Sequence, residues 1–203
     1  MALNLRRWVC TMTSNISKIK GKVRQEGDIL FRFPSYALVE KMDEWPSYRN
    51  LKVSDEKCCD FGVIIDNNIY LIEVKDYTYP DANTPNSNNL SGSIAHKFLG
   101  SFAALFANRF SNNLNEKNFS EKAQKCDNVF ICVHVEIPFS NRNRSRIKPA
   151  SSYRANLKDE LYRKLKSYIS SRSNVIVVSH EDCSNKACWQ AHRNPNSRKR
   201  HII

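Results

Sequence analysis

No stretch of the chain is apolar over the roughly 20 residues that a bilayer-spanning helix needs, so no membrane partner is expected. The opening residues, Met1-Ala-Leu-Asn-Leu-Arg-Arg-Trp-Val-Cys10, lack the apolar segment of a secretory leader. The seven cysteines are odd in number and have no framework spacing, which argues against a disulfide-stapled extracellular domain. Reduced thiols in a cytoplasmic or nuclear compartment are the expectation. Acidic residues are nearly missing from one end. Residues 1–140 hold 17 Lys/Arg against 16 Asp/Glu, whereas residues 141–203 hold 15 against 4. So lopsided a charge suits a polyanion partner, because displaced counterions drive association. A solubilising tail is the plainer alternative.

What is present suits a globular fold: 203 residues, 41% hydrophobic, enough for one domain with an appendage. The organising stretch is Asp60 to Lys75. Two β-branched runs, Val63–Ile65 and Ile69–Val74, flank Asn67-Asn68, residues that tolerate the positive φ of a two-residue hairpin turn. With Asn67 and Asn68 as the turn, Gly62 pairs with Glu73 and Asp60 with Lys75. Side chains alternate along a strand, so Asp60, Gly62, Glu73 and Lys75 share a face. Asp60 and Glu73 become diagonal neighbours about 7–8 Å apart, close enough to share one cation, and Gly62 leaves space there. Two acids and a lysine on one face of an apolar sheet suggest a metal site. A surface ladder of Glu73 and Lys75 with Asp60 is the structural alternative, worth about 0–1 kcal/mol.

The rest is read in order. Residues 1–34 form an N-terminal segment in which Ile16, Ile19 and Val23 have helical spacing over Ser14–Arg24. A helix over Tyr36–Trp45 follows, capped by Ser35, stopped by Pro46, and facing the core through Leu38, Val39 and Met42. Asp76–Ser93 reads as a long loop whose Tyr77 and Tyr79 either stack on a base or pack beneath it. The strongest helix runs Ser93–Phe110, with Ile94, Phe98, Phe102, Leu105, Phe106 and Phe110 at helical spacing, and His96 and Lys97 in its first turn. Val129–Ile137 is a strand apolar enough to be covered on both faces, and His134 within it reads as structural. Arg142, Arg144, Arg146 and Lys148 lie in a basic loop, Asn141–Lys148, suited to phosphates, as Lys97 also is. A helix over Asn156–Ser170, inward through Leu157, Leu161, Leu165 and Ile169, leads to a strand over Asn174–Ser179. The remainder, 180–203, is a basic tail containing His180, Cys183, Cys188 and His192. These are zinc-type ligands, although their spacing fits no common finger.

Asp60, twelve residues, then Glu73-x-Lys75 resembles the signature of the PD-(D/E)XK nuclease superfamily, with Cys59 where the usual proline stands. The order of elements over residues 35–179 is similar as well. The resemblance implies an α/β restriction-endonuclease-like core of αβββαβ type, with a mixed central sheet flanked by helices. It further implies a Mg²⁺- or Mn²⁺-dependent endonuclease acting on nucleic acid, DNA ahead of RNA. Asp60, Glu73 and the Val74 carbonyl would hold the metal, with Glu40 as the additional acid and Glu26 or Glu44 as weaker choices for it. Lys75 would orient the attacking water. Enzymes of the resembled kind often dimerise to cut two strands, so a homodimer is expected. A non-catalytic nucleic-acid binder on the same fold, using its basic C-terminal third, is the alternative function.

Overall fold

The computed structural model describes residues 21–49, 57–80, 82–138 and 150–197. They form a mixed α/β fold of a five-stranded sheet, a three-stranded antiparallel sheet and helices. The larger sheet has the order β3 (Leu38–Lys41), β4 (Phe61–Ile65), β5 (Asn68–Asp76), β6 (Asn128–Glu136), β7 (Val175–Val178). Its first two pairings are antiparallel and its last two parallel. The parallel steps are bridged by α2 (Ser87–Asn108) and α3 (Leu114–Ala123), then by α4 (Ala150–Leu165), since a parallel crossover needs a dozen or more residues.

Each face of this sheet is buried against a different layer. Leu71, Ile131, Val133 and Val135 pack with Ile94, Phe98, Phe119, Leu157, Leu161 and Leu165 of the helices. Phe61, Val63, Ile72 and Cys132 pack with Ile29, Phe31, Phe33 and Trp189 of the smaller sheet. Phe61 meets Phe31 and Phe33 at ring-centroid separations of 5.4 and 5.9 Å. Burial on both faces explains why β6 is almost continuously apolar.

The smaller sheet departs from expectation. Lys22–Glu26 is β1 rather than the end of a helix, and pairs antiparallel with β2 (Ile29–Phe33) through a turn at Gly27, φ +55°. Ile16 and Ile19 of the expected helix lie outside the described residues. The strand β8 (Gln190–Arg193), within the expected tail, pairs with β2, matching Ile29 to Arg193 and Phe31 to Ala191. Strands from both expected appendages, 1–34 and 180–203, are thus joined in one sheet over the core.

The expected helix over Tyr36–Trp45 is replaced by strand β3, a 3₁₀ turn over Met42–Glu44 and a short α1 (Pro46–Arg49). Leu38 and Val39 pack on opposite sides of the sheet. A strand followed by a tight turn therefore satisfies the same apolar spacing as the helix. The main helix, α2, begins six residues before Ser93, capped by Asn86, whose side chain accepts from the Asn89 N–H. Lys97 consequently lies well inside α2, while Phe106 and Phe110 remain exposed at its far end. The α4 apolar stripe of Leu157, Leu161 and Leu165 is buried as expected, and Ile169 is buried beyond the helix end.

Candidate active site

The hairpin turn is formed by Asp66 and Asn67, φ 46° and 60°, the conformation of a type I′ turn. One residue earlier than Asn67-Asn68, this centre shifts the register by two: Gly62 pairs with Leu71 and Phe61 with Ile72. Asp60 lies just before β4, and continuing this register by one residue would set it opposite Glu73 rather than Lys75. Because side chains alternate with a period of two, a two-residue shift leaves every face unchanged. Asp60, Glu73 and Lys75 still share the helix-facing side, and the Lys97 Nζ reaches both acids. Gly62 does not provide open space. A Cβ there would lie 2.9 Å from Met42 Sδ and 3.0 Å from the Phe119 ring, so the glycine lets those side chains close on β4.

Asp60 is 7% exposed, and its Oδ2 accepts a 2.7 Å hydrogen bond from the Val74 N–H. Glu73 is fully buried. Its Oε1 lies 2.6 Å from both Lys75 Nζ and Lys97 Nζ, and its buried Oε2 has no hydrogen-bond partner. Lys97 Nζ also stands 3.8 Å from Asp60 Oδ1. Glu73 is therefore anchored through one oxygen, and Asp60 through Oδ2 with Lys97 near its Oδ1. An unpartnered Glu73 oxygen next to Asp60 is an arrangement that could ligate a cation.

Two further acids converge on Asp60. Ligand oxygens of Glu26, Asp43 and Asp60 lie within 4.8 Å of one another. Asp43 is brought there by the 3₁₀ turn, whose Met42 N–H donates to the Asp60 carbonyl at 3.1 Å. Glu26, at the end of β1, is 3.0 Å from Lys41 Nζ, which also binds Glu44 at 2.9 Å. Carboxylate oxygens are the ligands that hard divalent cations take, and these three would have to draw slightly closer to share an octahedral one. Glu40 is not among these acids. It lies on strand β3 rather than on a helix, opposite Gly62 and half-buried. Glu26, the weaker choice from the sequence, and Asp43, which the sequence does not mark, stand here in place of Glu40. No local pattern marks Asp43, because the turn that aims it reads as helix in the sequence.

The electrostatics follow from crowding. Burial, reinforced by the charge on Glu73, pushes the Asp60 carboxyl up to about 7, against the opposing effects of Lys97 and the Val74 N–H. Burial and then Glu26 raise Asp43. Burial disfavours the Lys97 ammonium, but Glu73 and Asp60 outweigh it and raise its pKa. Glu40 is raised as well, chiefly by burial.

The other expected residues are dispersed. Lys97 contacts the site acids directly. Arg142, Arg144, Arg146 and Lys148 lie outside the described residues. Among the described residues, His180, Cys183, Cys188 and His192 form no cluster of close ligand atoms. Cys183 is buried in the layer under β8, with its Sγ donating to the His180 carbonyl at 3.6 Å, and His192 is exposed on β8. His180 Nδ1 is instead 2.7 Å from Glu136 Oε2, and buried His134 places Nε2 2.8 Å from Glu136 Oε1. Tyr79 donates to Asp28 at 3.0 Å, and Tyr77 packs, partly buried, against the helical core.

No protein-family model matches the chain, and no solved structure matches it. The chain is similar to the cysteine–tRNA ligase of Neisseria meningitidis serogroup A, 29% identical over 165 residues. That match takes in 65% of this chain and 23% of the ligase, so the chain spans less than a quarter of that protein's length.

Proposed function

We propose that the protein is a metal-dependent nuclease hydrolysing phosphodiester bonds of nucleic acid, DNA ahead of RNA, on a restriction-endonuclease-like core. The observation that carries this reading is the division of labour in the carboxylates. Glu73 is buried with one oxygen gripped by two lysines and the other unpartnered, beside Asp60 held by a backbone N–H. Leaving a buried carboxylate oxygen unsatisfied costs about 1–3 kcal/mol or more, a cost that a cation bound at Glu73 would relieve.

The donor set consists entirely of oxygens, which fits Mg²⁺ or Mn²⁺. Asp60 and Glu73 would hold the ion, helped by Asp43 and, as the resemblance implies, the Val74 carbonyl, with Glu26 at the rim. A bound cation supplies charge neutralisation at the phosphate and a more acidic water. Lys75, 2.6 Å from Glu73 and partly exposed, would donate to the attacking water and orient it in line with the phosphorus. The basic C-terminal third would hold the polyanion without reading sequence. Among the described residues Cys59, Cys126, Cys132, Cys183 and Cys188 are free thiols, in keeping with a reducing cytoplasmic or nuclear setting. Among those residues no helix is long and apolar enough to cross a membrane.

The deciding experiment incubates wild type and Glu73→Ala with supercoiled plasmid, single-stranded and branched DNA, RNA and tRNA, in Mg²⁺, Mn²⁺ or EDTA. Transfer RNA belongs in the panel because the similar protein is named for it. Metal-dependent cutting by wild type, reduced at least about 10³-fold in the variant, is expected. Salt-sensitive binding without cutting of any substrate would replace the nuclease with the binding module.

A further inference from the structure

Lys97 is not part of the Asp-Glu-x-Lys pattern. It comes from the third turn of α2, yet it touches the same Glu73 oxygen as Lys75, at the same 2.6 Å, and reaches Asp60 as well. Two features hold it there. A Cβ on Gly100 would lie 2.7 Å from the Lys57 carbonyl oxygen, so the glycine lets α2 approach the chain leading into Asp60. One residue on, Ser101 Oγ accepts from the Cys59 N–H at 2.9 Å and donates to the Lys97 carbonyl at 2.7 Å. The helix is thereby fastened to the strand that carries Asp60, with the lysine aimed between the two acids.

We propose that Lys97 is the resident counter-ion of this site and a positioning residue. In the metal-free protein its ammonium neutralises Glu73 and Asp60; when a divalent cation binds, it leaves them and turns to a phosphate of the nucleic acid. The inference rests on the nuclease reading of the same site. Charge explains the exchange. Two buried acids, Asp60 and Glu73, face Lys97, with half-buried Asp43 and Glu26 beside Asp60, and buried negative charge of this kind needs a cation in either state. A doubly charged ion bound to the same oxygens removes the reason for the ammonium to stay. The Lys97 side chain is 17% exposed, so it is not sealed from solvent. Lys75 differs in lying on the strand of Glu73 itself, two residues away, and need not leave to do its work.

The test is Mn²⁺ binding to the full chain without nucleic acid, read by the free-ion electron paramagnetic resonance signal at pH 8.5. Wild type, Lys97→Gln and Lys97→Arg are compared. Lys97→Gln should bind Mn²⁺ about 10- to 100-fold more tightly, the worth of one charge-assisted hydrogen bond no longer broken, and should cut more slowly. Lys97→Arg should stay near wild type in affinity. A second reading needs no variant: amine acylation of Lys97 in wild type, followed by mass spectrometry, should rise on adding Mg²⁺. Equal or weaker Mn²⁺ binding in Lys97→Gln, or acylation unchanged by Mg²⁺, overturns the exchange while leaving the nuclease intact. Absence of Mn²⁺ binding in every form overturns both.

Discussion

Asp60 sets the residue-scale energetics. Its carboxyl titrates near 7 in the fold and about 3.9 in an unfolded chain, so the folded state binds the proton more tightly. For an acid raised in this way, stability is greatest below the unfolded value, falls as pH rises from about 4 to about 7, and is level above that. The cost at neutral pH is on the order of 4 kcal/mol in the metal-free protein, in which burial outweighs Lys97. Asp60→Asn should therefore be more stable than wild type in EDTA at pH 8, by roughly 2–4 kcal/mol in urea denaturation, with the advantage shrinking toward pH 5. A less stable variant would mean that the Lys97 contact outweighs burial. Cation binding needs the ionised form, so affinity for Mg²⁺ should rise with pH up to about 7.

At the scale of elements, the site depends on how closely α2 lies against the chain entering β4. Two glycines of the same helix separate packing from propensity. Nothing lies within 4 Å of a Cβ built on Gly92, whereas one on Gly100 meets the Lys57 carbonyl oxygen at 2.7 Å. Helix propensity alone favours alanine over glycine by about 1 kcal/mol at either position. Gly92→Ala should accordingly gain about 0.5–1 kcal/mol, and Gly100→Ala should lose about 1–3 kcal/mol as the helix is pushed off. Thermal or urea denaturation of the pair decides it; similar gains in both would show that the contact yields without cost. The hairpin teaches a related point. A turn at Asp66-Asn67 instead of Asn67-Asn68 changes the register by two, an even number, so Asp60, Glu73 and Lys75 stay on one face.

For the whole molecule, the smaller sheet joins residues near both ends of the chain. Its β2–β8 pairing and the burial of Trp189, 2% exposed among Phe61, Val63 and Cys132, make the expected tail a structural layer. Trp189→Ala should destabilise the protein by about 3–5 kcal/mol, measured by denaturation. A loss below about 1 kcal/mol would return residues 180–203 to the role of an appendage. The same layer carries Glu26 to the rim of the acid cluster at the end of β1. The layer would therefore contribute to the metal site as well as to the core.

The residues themselves already determined the parts that rest on local periodicity. These are the β4–β5 hairpin with its shared acidic face, the buried stripe Leu157, Leu161, Leu165, and the doubly covered strand β6. Each follows from a repeat of two or of about 3.6 residues, which neighbours in the chain impose on one another. Tertiary structure decided the rest. Lys97 reaches Glu73 across 24 residues, Met42 brings Asp43 to Asp60 across 18, and Arg193 faces Ile29 from the other end of the chain. These contacts are set by which apolar faces found one another, and a buried polar group is aimed by that packing after the local pattern has run out.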